Sequence, residues 1–138
     1  MGNLKEKVFG AKLENLDSVI AFAEAELEEN GFPFKLIMPI SVAVEEIFVN
    51  IAHYAYPESE GDMTFGIDVS ENEATLVFTD EGVPFDPLEK TDPDITLDAE
   101  DREIGGLGIF MVKKTMDDVS YKYEDGKNVF SMTKKINK

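Results

Sequence analysis

The sequence contains no cysteine, one histidine (His53) and few basic residues: 13 lysines and arginines stand against 29 acidic residues, a formal net charge of −16. Without thiols there is no disulfide framework. The acidic excess repels nucleic-acid backbone and anionic membrane alike, which argues against direct DNA or RNA binding. No apolar run approaches the length that spans a bilayer, and the N-terminus lacks a basic-then-apolar signal. The expectation is a cytoplasmic protein with no membrane partner. Internal repeats and low-complexity segments are missing, as is a Walker sequence, and no dinucleotide fingerprint follows a strand. What remains is 138 residues, 43% of them hydrophobic, the length of one domain (1–138) with a core of its own.

Leu4 to Ala11 alternates loosely and suggests a first strand. From Asn15, read as an N-cap, apolar residues at Leu16, Val19, Ile20, Ala23 and Leu27 trace one helical face that Asn30-Gly31 stops. A second helix carries Ser41 to Tyr56, with Pro39 expected in its first turn and Pro57 ending it. Met63 to Ser70 and Ala74 to Thr79 alternate as a hairpin. A helix from Gly106 to Met116 is followed by Val119 to Tyr123 and Val129 to Ile136, a closing hairpin around Asp125-Gly126. Consecutive strands joined by short turns imply an α/β two-layer sandwich, a mixed and mostly antiparallel sheet with helices on one face. Residues 87–104 show little periodicity, contain Pro87 and Pro93 and are rich in aspartate; they read as a lid over a ligand or, more blandly, as a solvated acidic loop.

Three stretches carry chemistry. On the second helix, Glu46 and Asn50 lie four residues apart and rise from one face. A carboxylate and an amide there cost burial energy unless something binds, although a helical Glu or Asn is commonly a solvated surface residue. The adjacent Glu45 points about 100° away on a helix of 3.6 residues per turn and reads as surface. Next, Asp80-Glu81-Gly82-Val83-Pro84-Phe85-Asp86-Pro87 closes the second alternating run, and Asp80 alone would pass for a turn residue. Finally, Gly105-Gly106-Leu107-Gly108 opens the third helix. Glycines there let backbone amides approach an anion, and the helix adds its positive end; the bland reading is a tight turn.

In this order and spacing, the three motifs resemble the ATP-binding domain shared by histidine kinases, DNA gyrases, mismatch-repair ATPases and the heat-shock chaperone ATPase, the Bergerat-type fold. The segment Asn50-Ile-Ala-His-Tyr-Ala-Tyr-Pro57 and the Asp-x-Gly-x-Pro-Phe-Asp-Pro run narrow the likeness to the stand-alone serine/threonine kinases that act as bacterial anti-sigma factors. The resemblance covers roughly residues 10–136. It implies ATP/ADP and Mg²⁺ as cofactors, Glu46 as general base, and Asn50 as the Mg²⁺ ligand beside the triphosphate. It further implies Asp80 as acceptor of the adenine amino group, Gly82 leaving room for the base, and Gly105, Gly106, Leu107 and Gly108 around the phosphates. Two positions depart from the pattern: Tyr54 stands where a histidine is common, with His53 one place earlier, and Asn128 stands near where many relatives carry a threonine that assists adenine recognition; as asparagine can still hydrogen-bond there, the resemblance implies Asn128 as a further nucleotide-binding residue.

The leading reading is an ATP-dependent serine/threonine protein kinase that phosphorylates a small antagonist protein and sequesters a sigma factor in a partner-switching system. The alternative is a nucleotide-gated protein-binding module with little or no phosphoryl transfer, which γ-phosphate labelling of a partner would separate. A third reading, the catalytic half of a histidine kinase, would instead yield phosphohistidine on a separate protein. Relatives dimerise, and the N-terminal strand and first helix are the candidate surfaces for a homodimer.

Overall fold

A computed structural model of the chain describes residues 4–89 and 106–136. Five strands, β1 (Lys5–Gly10), β2 (Asp62–Val69), β3 (Glu73–Asp80), β4 (Asp118–Glu124) and β5 (Lys127–Lys135), form one sheet in the order β1-β2-β3-β5-β4. Every neighbouring pair is antiparallel. The sheet expected to be mixed is therefore antiparallel throughout among the described strands, because each in-register pair either forms a hairpin or is reached by a helical crossover that reverses direction.

Alternation in the strands decides which face is covered. On β3, Ala74, Leu76, Phe78 and Asp80 are buried while the residues between them are half-exposed. The buried set continues through Phe65 and Ile67 on β2 and Phe130 and Met132 on β5. Against it pack α1 (Leu16–Glu29), through Val19, Ala23 and Leu27, and α2 (Phe34–Tyr54), through Ile40, Val44, Ile47 and Phe48. Helix α3 (Gly106–Thr115) adds Ile109 and Val112. One hydrophobic core thus lies between a sheet face and a helix layer.

Local signals explain the element ends, with two corrections. Asn15 precedes α1, but its side chain makes no cap bond and donates instead to the Gly10 carbonyl at 2.9 Å, tying the end of β1 to the helix entry. Helix α2 begins at Phe34, a turn and a half before Pro39, so the proline lies inside the helix rather than in its first turn. There it removes the bond that would run to the carbonyl four residues back, a loss met by the buried neighbours Ile37 and Ile40. The β4–β5 turn places Asp125 at φ 57° and Gly126 at φ 78°, the paired left-handed residues of a two-residue hairpin turn. Of the expected lid, Pro87–Glu89 forms a short 3₁₀ turn; the rest, with Gly105, lies outside the described residues.

Candidate functional site

Helix α2, the end of β3 and the start of α3 converge. Because the inward positions of β3 run 74, 76, 78 and 80, the strand's last inward side chain is a carboxylate where the core ends. The β3–β5 register sets Asp80 directly opposite Asn128, and both are buried, at 5% and 6% exposure. Asp80 Oδ1 accepts the Gly82 amide at 2.8 Å and Asn128 Nδ2 at 2.9 Å. Its other oxygen has no hydrogen-bond partner among the described residues. Burial holds the Asp80 carboxyl above the usual range, partly offset by the bonds from Asn128 and Gly82. Such a group gains most from a ligand that donates a hydrogen bond to its free oxygen.

Around Asp80, a cleft is lined by Ile47, Ile51, Val83, Phe85, Tyr121 and Phe130, an apolar wall suited to the faces of a flat base. Its inner space is about 30 Å³, enough for about two waters and smaller than a purine base. Phe85 stacks on Tyr54, with centroids 5.3 Å apart and 26° between planes. Gly82 lies against the end of α2, where any Cβ would collide with the Ala55 carbonyl, and the next amide, Val83, donates to that carbonyl at 2.8 Å. The turn after Asp80 therefore needs glycine for its closeness to α2.

From α2, Glu46 faces the start of α3, and Asn50, one turn on, lines the cleft with Asp80 and Asn128. A Cβ at Gly108 would collide with the Glu46 carboxylate, which places the opening turn of α3 directly against that group. Burial and then the neighbouring Glu45 raise the Glu46 carboxyl above its ordinary value. Asn50 is 9% exposed, yet its side chain has no hydrogen-bond partner among the described residues. A buried amide left unpaired costs about 1–3 kcal/mol, a cost that a ligand at this position would remove. Its neutral oxygen suits Mg²⁺, which takes few protein ligands and fills its octahedron with water and substrate phosphate. Gly106 begins α3, as the sequence suggested, whereas Gly105 is outside the described residues and the side chain of Leu107 is not described.

The structure thus gathers Glu46, Asn50, Asp80, Gly82, Gly108 and Asn128. It leaves Glu45 and His53 exposed. Sequence reasoning missed Tyr56, Phe85 and Tyr121. The Tyr56 hydroxyl donates to the Asp62 carbonyl at 2.7 Å and accepts the Glu81 amide at 2.9 Å, bridging the end of α2 to β2 and to the residue after Asp80. Its place in the Tyr54-Ala55-Tyr56 motif was the available signal. Tyr121 could not be found without knowing that β5 inserts between β3 and β4.

The architecture, a two-layer sandwich with an antiparallel sheet, is that of an ATPase-type domain, and comparison with known proteins gives the family. The family model of the histidine kinase-like ATPase domain matches residues 9–134, and the chain belongs to that family, which implies use of a nucleotide. Among curated relatives, the serine-protein kinase RsbW of Listeria monocytogenes is 35% identical over 112 residues, covering 78% of this chain and 71% of that protein. The serine-protein kinase RsbW of Bacillus thuringiensis is 32% identical over 110 residues, covering 77% and 68%. Among solved structures, the Acinetobacter baumannii histidine kinase AdeS superposes with a TM-score of 0.55 at 12% identity, covering 99% of this chain and 70% of that one, a likeness of fold. No helix among the described residues is long and apolar enough to cross a membrane.

Proposed function

We propose that the protein is an ATP-dependent serine/threonine protein kinase of the anti-sigma-factor type, phosphorylating a small serine-bearing antagonist protein in a bacterial partner-switching system. The observation that carries this reading is the contact of Glu46 with the glycine of the opening turn of α3. A triphosphate received by the amides of that turn would bring its terminal phosphorus beside a carboxylate. The relatives named serine-protein kinase support the same chemistry.

In this reading Asp80 accepts the adenine amino group, the apolar wall sandwiches the base, and Asn50 holds the metal. Mg²⁺, when bound, neutralises charge on the phosphates. Glu46 accepts the serine proton as the hydroxyl oxygen bonds to the γ-phosphorus and the bond to the β-phosphate oxygen breaks, releasing ADP. Its basicity matters less than its position, because the hydroxyl becomes acidic only as the new bond forms. A raised Glu46 carboxyl is a somewhat better proton acceptor than an exposed one.

The test is γ-³²P-ATP incubated with the protein and its copurifying partner. Phosphoserine or phosphothreonine on the partner supports the reading. Nucleotide-dependent partner binding without any label refutes the kinase and favours a nucleotide-gated binding module.

A further inference from the structure

Asn128 stands inside the base site, but its hydrogen bonds turn inward. The amide nitrogen has two protons. It donates to Asp80 Oδ1 at 2.9 Å and to the Val83 carbonyl at 2.9 Å, with the Gly82 carbonyl at 3.4 Å. The amide oxygen has two lone pairs. It accepts the Phe85 amide at 3.1 Å and the Tyr121 hydroxyl. The reverse orientation of the amide would set Oδ1 against a carboxylate and a carbonyl, and Nδ2 against the Phe85 N–H, so the partners fix which atom points where. Two protons and two lone pairs account for the capacity of this side chain, and all four are used within the protein.

We propose that Asn128 is a positioning residue for base recognition, which holds Asp80 and the Gly82–Phe85 turn in place and leaves one oxygen of Asp80 as the acceptor that reads the base. The proposal rests on the reading of Asp80 as the adenine acceptor. Three strands of the argument converge. Asn128 and the Gly82 amide occupy the same oxygen of Asp80, so the carboxylate cannot rotate without breaking two bonds. Asn128 also spans the turn from the Val83 carbonyl to the Phe85 amide, fixing the segment that lines the cleft. Tyr121, from β4, steadies the amide from the far side. Asn128 itself is fully satisfied within the protein, and a satisfied buried polar side chain favours one arrangement of the groups it joins.

The test compares binding of Mg-ATP with that of Mg-purine riboside triphosphate, which lacks the 6-amino group, by calorimetry on wild type, Asn128→Ala and Asn128→Ser. Wild type is expected to favour ATP by at least about tenfold, the equivalent of ~1.4 kcal/mol. In the variants that preference is expected to shrink to within about twofold while the analogue still binds through its phosphates. A wild type that does not distinguish the two nucleotides refutes the role of Asp80 itself, and the proposal with it. A wild type that distinguishes them, with folded variants that weaken both ligands equally and keep the ratio, refutes the proposal alone and makes Asn128 a nucleotide contact or a fold support. Should both variants fail to fold, ¹⁵N spectra of wild type decide. The Asn128 side-chain amide protons are expected to exchange slowly and to keep their shifts when ATP binds, and a large shift on binding overturns the proposal.

Discussion

Replacing Asp80 with Asn removes a charge without changing shape, and the surrounding bonds dictate how the new side chain must sit. The Gly82 amide and Asn128 Nδ2 are both donors, at 2.8 and 2.9 Å from Oδ1. Asn at position 80 must therefore turn its oxygen toward them and its NH₂ toward the cleft. Adenine presents an amine at this point, so an accepting contact becomes donor against donor. Losing a hydrogen bond to a charged group costs about 1.5–3 kcal/mol, or roughly a 10- to 160-fold weaker dissociation constant. The facing donors push the result toward the upper end.

The same geometry predicts a reversal of preference. A 6-oxo purine such as inosine presents a carbonyl where adenine presents its amine, and the new NH₂ would donate to it. Calorimetry with Mg-ADP and Mg-IDP on wild type and Asp80→Asn should show the ADP affinity falling by that factor while the IDP affinity holds or improves. Cooperative melting of the variant establishes that the protein is intact. If ADP binds the variant within twofold of wild type, Asp80 does not read the base. If both nucleotides weaken together, the carboxylate supports the fold rather than selecting the ligand.

Other substitutions probe the phosphate end. Glu46→Gln should lower phosphoryl transfer by about 10²- to 10⁴-fold, the usual contribution of a positioned base, with Mg-ATP affinity within a few-fold of wild type; single-turnover labelling measures both. Asn50→Ala should abolish the Mg²⁺-dependent part of nucleotide binding, read as the difference between titrations with Mg²⁺ and with EDTA, and an unchanged difference removes Asn50 from the metal. Gly108→Ala places a methyl where the Glu46 carboxylate lies; it should reduce transfer at least as much as it disturbs stability, for which about 1–3 kcal/mol is typical of overpacking, and a fully active variant would show that the turn and Glu46 are not held together.

Much of the fold was legible because its signals are local. The alternation of β2 and β3, the spacing of α1 and the Asp125-Gly126 turn each depend on residues within a few positions of one another, and five strands and three helices follow in the expected order. Pro39 misled because a single proline weighs heavily in a local reading, whereas burial of Ile37 and Ile40 on either side lets the helix run through it. The site divides in the same way. Glu46, Asn50 and Asp80 sit in motifs and were singled out; the Asn128–Asp80 bond joins positions 48 apart in sequence through a register that follows only from the insertion of β5 between β3 and β4. The sequence placed Asn128 with the nucleotide-binding residues but could not show the bonds it makes within the protein.

The three groups assigned to the ligand share a physical cost, which indicates what completes them. Asp80 and Glu46 have carboxyl values raised chiefly by burial, and Asn50 is buried without a partner among the described residues. A carboxyl raised in the folded state binds its proton more tightly there than in the unfolded chain. Its contribution to stability is therefore fully present below the ordinary carboxyl range and is lost as the pH rises through the folded value. Above their folded values both groups are charged and under-solvated, so Asp80→Asn and Glu46→Gln should each make the nucleotide-free protein more stable on the alkaline side of that range, with the gain vanishing in acid. A site selected only for stability would carry neither carboxylate. Their presence in the cleft and beside α3 fits a fold that gives up stability for function, and under the proposed reading a nucleotide bound at Asp80 and Asn50 would restore it.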